Sequence, residues 1–114
     1  MTDCIFCKII RKEIPATAVY EDAHTIVIQD LNPQAPVHLL AIPKEHYAGI
    51  HEVPENGAEL FERLYSAIGT TVREKNLDEK GYRLVVNCGE KAGQTVPHIH
   101  VHILSGRTMS WPPG

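Results

Sequence analysis

The chain has 114 residues, 43% of them apolar, with 14 acidic side chains against 11 basic ones and a formal charge of −3. That is the size of one ordinary domain, spanning 1–114, with enough apolar material for a core without disulfide staples. The absence of a basic run argues against nucleic acid or an anionic membrane as a partner, and no apolar stretch approaches the roughly 20 residues of a membrane helix.

The opening "MTDCIFCKIIRK" places Asp3 before its apolar residues and Lys8 among them. It lacks the long apolar centre of a secretory signal, so a cytoplasmic, reducing location is expected. Cys4, Cys7 and Cys88 then read as thiols or metal ligands rather than disulfides. Within this segment Ile5, Phe6, Ile9 and Ile10 recur at helical spacing, with Pro15 just beyond, which predicts a short amphipathic helix. "TAVY" and "HTIVIQD" are β-branched runs around the polar turn "EDA", a hairpin pattern. "NPQAP" is a loop, and "VHLLAIP" a third strand ended by Pro43. Residues 54–76 carry Phe61, Leu64, Ile68 and Val72 at three- and four-residue steps and predict one long helix. "GYRLVVN" is a fourth strand, "CGEKAGQTVP" a glycine-containing loop and "HIHVHIL" a fifth strand. Helix, three strands, long helix, two strands gives an α+β fold with a mostly antiparallel sheet.

On a strand, His98, His100 and His102 share one face, while Ile99, Val101 and Ile103 point to the other. A half-exposed strand with a histidine face is one reading. A single ion held by all three is a poor one, because His98 and His102 start about 13 Å apart. A neighbouring pair could share a metal. The reading with most chemistry is catalysis, since imidazole titrates near neutrality and can carry a covalent group. Gly89, Gly93, Gln94 and Thr95 in the preceding loop could cradle a phosphate through backbone and side-chain donors. Cys4 and Cys7 form a C-x-x-C: a redox dithiol, two buried thiols, or half of a zinc site that two imidazoles would complete.

"HIHVHIL" fits the alternating His-apolar pattern of the histidine-triad (HIT) superfamily, and the resemblance extends over "IFCKIIRKEIP", "DLNPQAPVHLLAIPK", "GYRLVVNCG", "KAGQTVPHIHVH" and "GRTMSWPPG". The chain is similar in particular to the Hint-like branch, the purine nucleoside phosphoramidases. That resemblance implies a five-stranded HIT fold that dimerises through its long helix and a strand into a ten-stranded sheet. It implies hydrolysis of purine nucleoside 5′-phosphoramidates, AMP-lysine included, through a nucleotidyl-histidine. His100 matches the nucleophile, His102 and His38 its orienting and proton-relaying partners, and Asn87, Gln94 and Thr95 the surroundings of the phosphate. Asp30 matches the ribose-gripping carboxylate. Ile5, Phe6, Ile9, Ile28 and Leu31 match the purine walls. Trp111, in a tail spanning 105–114, matches a residue that reaches the partner subunit. The resemblance also implies structural zinc on Cys4, Cys7, His46 and His98; on the residues alone, His51 competes as the fourth ligand and His24, in the hairpin, reads as a surface residue. Pro97 stands where the branch often has tyrosine, and Ser105 where it has glycine. Other activities the superfamily admits are dinucleoside polyphosphate hydrolysis and a non-catalytic, nucleotide-binding regulatory dimer.

Overall fold

The computed structural model describes residues 4–114. Five strands, β1 (Ala18–Glu21), β2 (Thr25–Gln29), β3 (Val37–Pro43), β4 (Tyr82–Val85) and β5 (Val101–Ser105), form one sheet in the order β1-β2-β3-β5-β4. Every pairing is antiparallel, so the sheet is wholly rather than mostly so. Helix α1 (Ile5–Ile10) covers one face and helix α2 (Glu59–Glu74) the other.

Strand alternation explains both layers. Val27, Leu39, Ala41, Val101 and Ile103 point one way and pack on Leu64, Ile68 and Val72 of α2. Ile26, Ile28, Leu40 and Ile42 point the other way and pack on Phe6 and Ile9 of α1. Strands buried on both faces read as continuous apolar runs, which is how "TIVI" and "LLAI" appear. Ile103 has no exposed surface and sits on the α2 face, away from the histidines. Ile103→Ala is expected to cost about 2–5 kcal/mol of stability, read by urea unfolding, while leaving the histidine cluster in place.

Three boundaries differ from the sequence reading. The long helix starts at Glu59 rather than 54, because Pro54 leads into a separate 3-10 turn, Glu55–Gly57. It stops at Glu74, because Asn76 turns left-handed (φ 55) and begins a further short helix α3, Leu77–Lys80. The fifth strand starts at Val101 rather than at His98. Ladder pairing to β3 ends at Ala41↔Val101. Just before it, the Ile99 N–H donates instead to Tyr47 O at 2.8 Å, so His98 and His100 lie on an extension beyond the sheet.

The sheet has two edge strands, β1 and β4. On β4, Tyr82 and Leu84, with Val86 just beyond, are exposed at 45%, 37% and 37%. Arg83 holds the C-terminal segment beside this edge, its guanidinium donating to Ser110 O at 2.9 Å.

Candidate functional site

His100 is buried, with 4% of its surface exposed. Its Nδ1–H donates to the His98 carbonyl at 2.7 Å, which fixes the tautomer and leaves Nε2 with a free lone pair. Among the described residues Nε2 has no hydrogen-bond partner, yet the one sealed, unpaired polar side-chain atom is Thr25 Oγ1. What remains open at His100 therefore includes Nε2. The ring is wedged between Phe6, edge-on at 5.0 Å between centroids, and His102, also at 5.0 Å. Burial pushes its pKa below the ordinary histidine value, against the bond to the His98 carbonyl that favours charge. The lowered pKa favours the neutral ring.

Pairing of Leu40 with His102 and of His38 with Leu104 puts His38 and His102 diagonally on one face of the sheet. The Gln34 backbone N–H donates to His38 Nδ1 at 3.0 Å, so the His38 proton sits on Nε2. That Nε2–H lies 2.9 Å from His102 Nδ1 and 3.3 Å from Asp30 Oδ2. His102 in turn carries its proton on Nε2. The three donor atoms are close enough to suggest a metal site, but ligation through His38 Nε2 would require a doubly deprotonated ring. We read them as a chain of hydrogen bonds with fixed polarity. Burial lowers the His38 pKa, and the nearby Asp30 opposes that shift.

The second cluster joins α1 to the segment after β3. Cys4 Sγ lies 3.3 Å from His98 Nδ1, and Cys7 Sγ lies 3.3 Å from His46 Nδ1 and 3.6 Å from His98 Nδ1. His46 and His98 approach at 2.9 Å, and all four ligand atoms fall within 4.8 Å of one another. Tetrahedral zinc ligands stand about 3.3–3.8 Å apart, so this S₂N₂ set fits structural zinc. The His98 Nε2–H donates to Pro43 O at 2.8 Å, which turns Nδ1 toward the cluster as an outer-shell partner does. Burial holds the His98 pKa at about 4, keeping the ring in its neutral, ligating form. It also pushes the Cys4 thiol up, the opposite of what a bound cation does. His51 does not join this set; its Nδ1 faces Cys88 Sγ at 3.7 Å. His24 is exposed.

The glycine-containing loop is latched by Gln94. Its Oε1 accepts from the Gly89 N–H and its Nε2 donates to Ala48 O, both at 2.8 Å. With both ends of its amide engaged, Gln94 shapes the loop. Gly93 occupies a left-handed position (φ 95) that favours glycine, and the Asn87 side chain lies just beneath it. Thr95 is exposed with an open hydroxyl. Phe6, Ile9 and Ile28 are buried in the α1 layer, Ile5 is 47% exposed, and Leu31 (96%) and Trp111 (81%) project into solvent. The sequence reading missed the backbone groups of Gln34, Pro43 and Ala48; main-chain donors and acceptors leave no residue-type signal.

Residues 3–111 match the family model described as "Scavenger mRNA decapping enzyme C-term binding". A HIT-like protein of Synechococcus elongatus is 46% identical over 112 residues, covering 98% of this chain and 97% of its own length. The chain belongs to the histidine-triad family. A 14 kDa zinc-binding protein of Brassica juncea is 45% identical over 114 residues, covering 98% of this chain and all (100%) of its own length. The crystal structure of a HIT family hydrolase from Legionella pneumophila superposes with a TM-score of 0.94 at 47% identity, over 98% of this chain and 100% of that one. Among the described residues of this histidine-triad chain, no helix is long and apolar enough to cross a membrane.

Burial of this histidine-triad site has a measurable consequence. Desolvation, aided by His100 and His38, lowers the His102 pKa to about 4. An unfolded histidine titrates at about 6.5, so below that pH the unfolded chain binds a proton that the folded chain refuses. Stability is therefore full above about pH 6.5 and falls as pH drops toward about 4. The urea midpoint at pH 5 is expected to lie below that at pH 7.5. His102→Gln should reduce the difference without removing it, because His38, His98 and His100 are also lowered by burial.

Proposed function

We propose that this chain hydrolyses purine nucleoside 5′-phosphoramidates through a nucleotidyl intermediate on His100. The observation that carries the reading is the pinned tautomer: Nδ1–H tied to the His98 carbonyl, Nε2 bare and open. His100 Nε2 attacks the phosphorus and the P–N bond breaks. The amine leaves with the proton from His102 Nε2, and water, giving a proton back to that nitrogen, then cleaves the nucleotide from the imidazole. The His98 carbonyl stabilises the positive charge that the substituted ring carries. His102, held by His38, points its Nε2–H outward as a donor to phosphoryl oxygen or leaving nitrogen. Thr95, Asn87 and the backbone around Gly93 line the phosphate, with Gln94 fixing their loop.

Phe6, Ile9 and Ile28 with Ile5 and Leu31 form the purine walls in this reading. A carboxylate offers about four lone-pair positions; Asp30 uses one for the Asn32 N–H and one toward His38, leaving two for the ribose hydroxyls. We assign zinc to Cys4, Cys7, His46 and His98 as a structural ion. The exposed β4 edge and Tyr65 on α2 support a dimer that continues the sheet and brings Trp111 to the partner's site.

The test is a comparison of turnover on an adenosine phosphoramidate and on a diadenosine polyphosphate. Faster cleavage of the phosphoramidate is expected, and the reverse order overturns the assignment. Sedimentation should give twice the chain mass.

A further inference from the structure

We infer that Cys4 and Cys7 are an oxidant-sensitive thiol pair whose state sets the orientation of the catalytic imidazole. A peroxide that oxidises them would misalign His100. The activity arm of this idea rests on the function proposed above; the structural arm does not.

Cys4 caps the N-terminus of α1 and accepts the Cys7 N–H at 3.2 Å. Cys7 stands three residues on, and the two sulfurs lie within 4.8 Å of one another. That juxtaposition, a cap thiol over a third-position thiol, suits a disulfide, whichever element precedes the helix. Cys4 is partly exposed and offers the oxidant an approach, while Cys7 is buried.

His98 couples this pair to the nucleophile. Its ring meets Cys4 Sγ at 3.3 Å and Cys7 Sγ at 3.6 Å, and its carbonyl receives the His100 Nδ1–H at 2.7 Å. Both histidines lie on the extension beyond the β3–β5 ladder, where sheet pairing does not hold them. Their anchors are the Ile99 N–H to Tyr47 O, the His98 N–H to Val96 O and the His98 ring contacts. Phe6, between the two cysteines, packs edge-on against both rings, at 5.9 Å from His98 and 5.0 Å from His100.

The chemistry balances with hydrogen peroxide as oxidant. Two thiolates and one peroxide, with two protons, give one S–S bond and two waters; sulfur is oxidised and the peroxide oxygen reduced. Disulfide sulfur is a far poorer metal ligand than thiolate, so zinc leaves, and His98 and His46 lose their partners. The His98 carbonyl then shifts, and His100 is free to change tautomer.

The experiment uses the full chain loaded with zinc, carrying Cys88→Ser to remove the exposed thiol. It is titrated with hydrogen peroxide. Four readouts are taken: mass, for loss of two hydrogens between Cys4 and Cys7; zinc captured by a chromogenic chelator; nitrogen-15 histidine spectra, for the His100 tautomer; and phosphoramidate turnover. The expected result is a Cys4–Cys7 disulfide, zinc release, loss of the single Nδ1–H tautomer of His100, and turnover lower by at least about tenfold. Reductant with zinc should reverse all four. Cys4→Ser should show no further His100 change on peroxide treatment. A disulfide with zinc released and an unchanged His100 tautomer would overturn the inference, as would failure of the pair to oxidise where wild-type Cys88 does. A protein inactive from the outset would count against the proposed function, while the spectra would still decide this point.

Discussion

His100→Ala is expected to lower phosphoramidate turnover by about 10⁴-fold or more and to abolish the covalent nucleotidyl adduct seen by mass spectrometry after acid quench. The size follows from what is removed. An attacking group at the phosphorus has no substitute among the described neighbours: His102 Nδ1 accepts the His38 proton and His102 Nε2 carries its own. His102→Ala removes a charge-stabilising donor instead and should cost less, about 10²–10³-fold, with the adduct still formed. Because His100 is buried, alanine also opens a cavity beside Phe6. His100→Gln is the better-packed control. If that variant melts like the wild type and still hydrolyses phosphoramidate at a comparable rate, His100 is not the nucleophile.

The second large effect is on the metal centre. Cys7→Ser, or prolonged chelation, is expected to remove zinc and cost at least about 3 kcal/mol, lowering the melting temperature on the order of 10 °C. Zinc-finger peptides owe essentially all their stability to metal; this chain also has two apolar layers, so a partial loss is the reasoned outcome. Cys7 is the ligand to choose because it is buried and touches both imidazoles. Metal analysis of protein purified without chelator should find about one zinc per chain, and melts with and without chelator should differ for the wild type but not for the variant. Less than about a tenth of an equivalent would exclude a structural zinc, which is tightly held.

Much of the architecture was legible because it depends on periodicity. The continuous β-branched and aliphatic runs of β2 and β3 and the three- and four-residue stripe of α2 are properties of side chains, and the sequence displays side chains. The boundaries were less legible because backbone partners decide them. Nothing in "PHIHVHI" announces that the Ile99 N–H bonds to Tyr47 rather than to β3. The site divides in the same way. The alternating histidines mark the residues, but the tautomers that assign their roles come from main-chain groups of Gln34, Pro43 and His98. Gln94 illustrates the limit: its residue type suggested a phosphate donor, and only the structure shows that its amide also braces two loops.

Helix α1 has six residues, too few to persist alone in water. Its partners lie far along the chain: Cys7 meets His46 across 39 positions and Cys4 meets His98 across 94. It can therefore take shape only after the strands that carry those partners have assembled. During synthesis it emerges before the strands and is secured only after them, so a nascent chain stalled before its final strand would present two unguarded thiols and an apolar ridge to the cell's chaperones.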